Sequence, residues 1–182
     1  RLQQIHNAFI LAATNRGFLV INQQLAHQRI LYEKLSLAAQ GSPMAAQKSL
    51  FPTVLELAPA DAALLEDLVP DLAHLGYMLE PFGHNSYLIQ GTPADIEIGN
   101  EKHSIEKLLE QFKHFSNELK YSKREKLVRS LVYQQSIPIG KTLSEKEMEV
   151  IVEGLFACNY PNTTADGAPT YIEFRKEYLM SL

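Results

Sequence analysis

At the start of the chain, apolar positions come in runs rather than alternating with polar ones. Residues 8–13, AFILAA, and 18–22, FLVIN, flank the segment TNRG. Two apolar runs around a turn containing Asn and Gly predict a β-hairpin. The spacing then predicts a helix from about Gln23 to Gln40, with Asn22 placed as its N-cap. GSPMAAQ, residues 41–47, breaks that pattern and reads as a boundary. LFPTVLEL is a strand candidate. PADAALLEDLVPDLAHLGY is helical, with Leu64, Leu65, Leu68 and Leu72 on one face. Pro70 is expected to kink or split it. MLEPFG and NSYLIQG read as two strands around a turn. Ile105, Leu108, Leu109, Phe112 and Phe115 recur at helical spacing. A basic run follows, with Lys120, Lys123, Arg124, Lys126 and Arg129. Ser144 and Glu147 then form a capping-box pattern, and Met148, Ile151, Val152, Leu155 and Phe156 make the stripe of the helix it opens. The tail, DGAPTYIEFRKEYLMSL, reads as a turn and a short extended piece. The order predicts an α+β fold with mixed sheets.

Composition narrows the function without choosing it. The chain has 182 residues, enough for one domain or two small ones. Hydrophobic residues make up 46% and charged residues 21%, ordinary values for a globular protein. The net charge of -4 gives no bulk attraction to nucleic acid, so DNA contact needs a local patch. The single cysteine, Cys158, rules out an internal disulfide and fits a reducing compartment. No stretch approaches the roughly 20 apolar residues of a membrane span, and no signal peptide is evident. The chain reads as a domain cut from a longer protein.

The candidate chemistry lies where the predicted hairpin meets the first helix. Asn22, Gln24 and Gln28 occupy positions from which Asp, His and Glu would converge on a metal. Four stretches, QIHNAFIL, INQQLAHQRILYEKL, LGYMLEPFGHNSYLI and TLSEKEM, together resemble the C-terminal domain of the DNA mismatch-repair MutL family. The resemblance runs from about Gln4 to Tyr171. It implies a discontinuous dimerising subdomain, residues 1–45 and 133–182, around an inserted regulatory α/β subdomain, residues 46–132. It also implies a homodimer in a bacterial cytoplasm, nucleoid-associated when at work, with other mismatch-repair proteins as partners. The ATPase of such proteins lies in a separate N-terminal domain.

Many members of that family nick DNA with bound metal, which stabilises developing charge and activates water. Their motif reads Asp-Gln-His-Ala, two residues, Glu, four residues, Glu. Here Asn22 stands for Asp, Gln24 for His, Leu25 for Ala and Gln28 for Glu; only Gln23 and Glu33 match. Neutral amides are weak ligands for transition metals. The family's Ala-Cys-Arg is Val132, Tyr133, Gln134, and its Cys-Pro-His-Gly-Arg-Pro is residues 164–169, where only Gly167 and Pro169 survive. The expectation is therefore a non-catalytic fragment with no metal or other cofactor. The alternative is a DNA-nicking endonuclease with substituted ligands, drawn for instance from His27, Asp166 and Cys158.

A second short pattern, QKSLFP, resembles the Gln-x-x-Leu-x-Pro motif by which the family binds the DNA polymerase sliding clamp. It names Gln47, Leu50, Phe51 and Pro52; the plainer reading is a strand start with Leu50 and Phe51 in the core. Lys120, Lys123, Arg124 and Lys126 are candidates for DNA phosphate contact. Glu118 and Glu125 interrupt the run, which favours a solvated helix face, with DNA met weakly or through the full-length protein. Arg29 and Glu33 are expected to form a weak surface pair. Phe9, Ile10, Leu11, Phe18, Val20 and Ile21 are either core or dimer interface.

Overall fold

The computed structural model describes residues 2–181. In chain order the elements are β1 (Leu2–Ile5), β2 (Phe9–Thr14), β3 (Gly17–Asn22), α1 (Gln23–Ala39), β4 (Ala46–Glu56), α2 (Pro59–His74), β5 (Met78–Pro81), β6 (Ser86–Pro93), α3 (Glu101–Phe115), α4 (Lys123–Gln135), α5 (Glu145–Ala157), β7 (Tyr171–Arg175) and α6 (Lys176–Met180). Backbone contacts divide the chain into two compact units, residues 1–34 with 135–182, and residues 35–134. The fold is α+β. Its sheets are antiparallel throughout, where mixed sheets and an inserted α/β unit were expected. Tight hairpins join neighbouring strands in the first sheet, and β7 returns from far along the chain to run against β3.

In the first unit the sheet order is β1-β2-β3-β7. Pairing sets Ile10 opposite Ile21 and Ala12 opposite Leu19, so these four share one face. That face meets Ala26 of α1 and Met148, Ile151 and Leu155 of α5, closing a core in which Ile10, Ile21 and Leu155 are fully buried. Gly17 allows β7 to come close. Its φ is +149°, and a Cβ there would lie 2.0 Å from the Phe174 carbonyl oxygen. Ser144 caps α5 as predicted, its hydroxyl accepting the Glu147 N–H at 3.3 Å while the Glu147 carboxylate accepts the Ser144 N–H at 2.8 Å.

In the second unit the sheet order is β4-β6-β5. Ala62, Leu65, Leu68 and Leu72 form the buried stripe of α2, and Ile105, Leu108, Leu109 and Phe112 that of α3. Pro70 does not split α2, which runs from Pro59 to His74 without interruption. An interior proline costs about 3 kcal/mol, but Leu68 and Leu72 are fully buried on either side of it and burial holds the helix. α4 buries Leu127, Val128 and Leu131 and leaves Lys123 and Arg124 exposed at its start.

Candidate functional site

At the start of α1, the residues of the expected motif are engaged in building the fold. Asn22 Oδ1 accepts the backbone N–H groups of Gln24 and Leu25 at 3.1 and 3.0 Å, the work of an N-cap. The Asn22 N–H donates to the Thr170 carbonyl at 2.9 Å. Gln23 is 1% exposed, and its amide is saturated. Nε2 donates to the carbonyls of Asn7 and Lys141, each at 2.9 Å, and Oε1 accepts from Gln4 Nε2 at 2.7 Å. Gln4 Oε1 in turn accepts the Leu143 N–H at 3.1 Å. Gln24 and Gln28 are half-buried on the helix. His27 Nδ1 accepts the Ile137 N–H at 3.0 Å, so that nitrogen carries no proton.

Arg29 and Glu33 pair as expected, but away from the surface. Arg29 is 6% exposed, and its Nη1 lies 3.6 Å from Glu33 Oε1. Arg29 Nε donates to the Thr163 carbonyl at 2.5 Å. The Glu33 carboxylate accepts the N–H groups of Asn159 and Tyr160 at 2.8 and 3.1 Å. The two side chains clamp the segment after α5 onto α1. That segment holds its own shape through hydroxyls. Thr164 Oγ1 accepts the Ala168 N–H at 3.1 Å, and buried Thr170 donates its hydroxyl to the Pro161 carbonyl. Gly167, with φ +87°, makes the turn between them. Cys158 closes α5, its thiol donating to the Gly154 carbonyl at 3.3 Å. Burial foremost, then the Glu33 charge, pushes the thiol pKa up, while Arg29 opposes. Among the described residues, no group of three or more His, Cys, Asp or Glu is gathered where it could hold a metal ion. His27, Asp166 and Cys158 are not brought together.

In the second unit, Val132 is buried on α4, and Gln134 Nε2 donates to the Ser104 carbonyl at 2.9 Å. QKSLFP lies in β4, but Leu50 and Phe51 are not in the core: they are 90% and 85% exposed. The reason is a break in register. Lys48 pairs with Gly91 and the ladder resumes at Thr53 with Ile89, so residues 49–52 bulge outward. Pro52, which has no N–H to give a ladder, sits in the bulge where none is needed. Gln47 remains in the ladder opposite Thr92.

The basic run is matched by acids of its own unit. Lys123 Nζ lies 3.3 Å from Asp67 and 3.5 Å from Asp71, and Arg124 lies 3.5 Å from Asp71. Lys126 Nζ donates to the Ser116 carbonyl at 2.8 Å, and Lys120 lies 4.0 Å from Glu118. Arg129 pairs with Glu125 at 2.6 Å and stacks over Tyr121.

The remaining feature is the outer face of the first sheet. Pairing puts Ile5 with Phe9, Leu11 with Val20, Ala13 with Phe18, and Val20 and Phe18 with Ile172 and Phe174. These side chains alternate with the core residues and lie on the opposite side. None of them is buried, and Phe9 and Ile172 are 37% and 57% exposed. The rings of Phe18 and Phe174 stack with centroids 5.0 Å apart. No charged residue stands among them. Ile172 and Phe174 escaped the sequence reading, although their i, i+2 spacing in a β-rich stretch was a strand signal. Gln4 escaped too, since its partners lie far along the chain.

The family described as the MutL C terminal dimerisation domain matches residues 2–143. The chain is similar to the DNA mismatch repair protein MutL of Chlorobium phaeobacteroides, 32% identical over 179 residues, covering 98% of this chain and 29% of that protein. It is similar to the MutL of Chloroherpeton thalassium, 32% identical over 176 residues, covering 97% of this chain and 28% of that protein. The chain thus spans under a third of the length of these relatives. With its discontinuous unit, its two-faced sheet and the match across most of its length, the chain belongs to the MutL C-terminal dimerisation domain family.

Proposed function

We propose that this chain is a homodimerisation module of a DNA mismatch-repair protein, that residues 1–34 with 135–182 carry the dimerising surface, and that it joins two copies without chemistry of its own. The observation that carries the reading is the uncharged apolar face of the first sheet. Antiparallel sheets usually cover one face and wet the other with polar side chains. A second face built from Phe9, Leu11, Phe18, Val20, Ile172 and Phe174 calls for a partner surface of the same kind. Such a face is self-complementary, as a two-fold interface requires. In the full-length protein, paired modules would hold two N-terminal ATPase domains together around DNA. DNA engagement then belongs to that larger protein, since Lys123 and Arg124 already face Asp67 and Asp71 here.

The test is sedimentation of the natural chain and of Val20→Glu at micromolar concentration. The natural chain is expected to be a dimer and Val20→Glu a folded monomer with unchanged circular dichroism. A natural chain that sediments as a monomer would end the reading.

The non-catalytic part is supported by the use made of the motif positions. Asn22, Gln23 and Glu33 hold backbone groups. The chain is expected to leave supercoiled DNA intact in the presence of Mn²⁺, and nicking that survives repurification would restore the endonuclease alternative.

A second role has its own observation. Leu50 and Phe51, the apolar pair of the clamp-like pattern, stand out of the sheet at the β4 bulge. We propose that they enter an apolar pocket on the sliding clamp. Leu50→Ala with Phe51→Ala is expected to abolish clamp binding by the folded chain.

A further inference from the structure

The bulge in β4 is closed by a side chain that the clamp-like pattern does not ask for. Between Lys48↔Gly91 and Thr53↔Ile89, residues 49–52 have no ladder partners on β6. A segment without ladder bonds, carrying two apolar side chains that touch little of the protein, has small reason to keep one conformation. Ser49 gives it one. Its Oγ donates to the Phe51 carbonyl at 2.9 Å and accepts the Phe51 N–H at 3.2 Å. Thr53 Oγ1 donates to the same carbonyl at 3.5 Å. Both backbone groups of Phe51 are thereby satisfied within the bulge, and the chain between Ser49 and Phe51 is drawn into a closed ring. Leu50, at the apex of that ring, is the more exposed of the two apolar side chains.

We infer that Ser49 is a positioning residue: its hydroxyl presets the bulge so that Leu50 and Phe51 are presented together to an apolar pocket on a partner protein. The inference rests on the docking role proposed above for these two residues. Its physical basis is the entropy of association. A loop that must be ordered at the moment of binding loses affinity for each residue it fixes, and a loop ordered beforehand does not. In the pattern Gln-x-x-Leu-x-Pro, Ser49 falls on an unspecified position. The role comes from its bonds to Phe51 and not from the pattern.

The experiment compares four forms of the folded chain for affinity to the purified sliding clamp: natural, Ser49→Ala, Ser49→Thr, and Leu50→Ala with Phe51→Ala. Amide exchange at Phe51 is followed in the first three without clamp. The expected result is loss of binding in the double variant, weakening of about tenfold in Ser49→Ala, and recovery to near the natural affinity in Ser49→Thr, which keeps the hydroxyl. Exchange at Phe51 should quicken in Ser49→Ala alone. If the double variant loses binding while Ser49→Ala binds like the natural chain, the positioning role is overturned and the docking role stands. If Ser49→Ala weakens binding but leaves Phe51 exchange unchanged, the hydroxyl touches the partner directly and positioning is again overturned. If the double variant binds like the natural chain, the docking role fails and takes this inference with it.

Discussion

Gln23 shows a residue of the motif at work in the fold. It is the central member of a motif whose other positions carry Asn22, Gln24 and Gln28, and its amide ties the start of α1 to Asn7, Gln4 and Lys141. Replacing it by Ala takes a donor from the Asn7 carbonyl and one partner each from the Lys141 carbonyl and the Gln4 amide, inside a site where Gln23 itself is buried. We expect Gln23→Ala to lower stability by about 2–3 kcal/mol, read from urea unfolding, against under about 0.5 kcal/mol for Gln24→Ala. Equal losses at both positions would remove the distinction between them. Asn22 as a cap was legible in the sequence, because the bonds of a cap are local. The bonds of Gln23 were not, because Lys141 is 118 residues away. Glu33 was read only in part for the same reason. Its expected partner Arg29 does lie 3.6 Å away, but its carboxylate also holds the N–H donors of Asn159 and Tyr160. Gly17 gives the sharper test. A Cβ at 2.0 Å from the Phe174 oxygen cannot be accommodated while β7 stays paired. Gly17→Ala should cost at least about 3 kcal/mol and unprotect the β7 amides in exchange experiments, and protected β7 amides would contradict it.

Among the elements, α5 was read correctly because its signals are contained in it: a capping box and a stripe at helical spacing. Its stability should depend on pH through Glu147. The Ser144 backbone N–H foremost, then the Ser144 hydroxyl, holds that carboxylate pKa below its ordinary value of 4.5; Lys141 adds a smaller pull, and desolvation opposes. A carboxylate whose folded pKa is depressed contributes stability above the unfolded pKa and loses it as pH falls through the folded one. Natural stability should therefore drop more steeply below about pH 4.5 than that of Glu147→Gln. Parallel profiles for the two would show that the box contributes nothing there. Ser144→Ala should cost about 1 kcal/mol at neutral pH. The elements read less well are those shaped from outside. β4 was placed late, from Leu50, because its bulge hides the ladder that begins at Ala46. α2 was expected to kink or split at Pro70 and is not split, since burial of Leu68 and Leu72 outweighs a lost hydrogen bond.

For the whole molecule, the informative sequence feature was the absence of alternation in AFILAA and FLVIN. A strand with one wet face alternates; one covered on both faces is apolar throughout. The runs therefore announced two apolar faces but not which residues faced which way. Register supplies that division, with Ile10 and Ile21 against α1 and α5 and Phe9, Leu11, Phe18 and Val20 on the outer side. If a second copy covers the outer side, folding and association are linked, and the thermal midpoint must rise with protein concentration. Val20→Glu, unable to associate, should show a lower midpoint that does not move with concentration. The character of the interface predicts its salt response as well. Ion-pair interfaces weaken as the Debye length shrinks, whereas an interface without charges has little to screen. The dimer dissociation constant should therefore change by less than about threefold between about 0.05 and 0.5 M salt. A rise of tenfold or more would mean that charged groups outside this face, such as Arg16 and Arg175 at the ends of β3 and β7, carry the association in place of the apolar sheet.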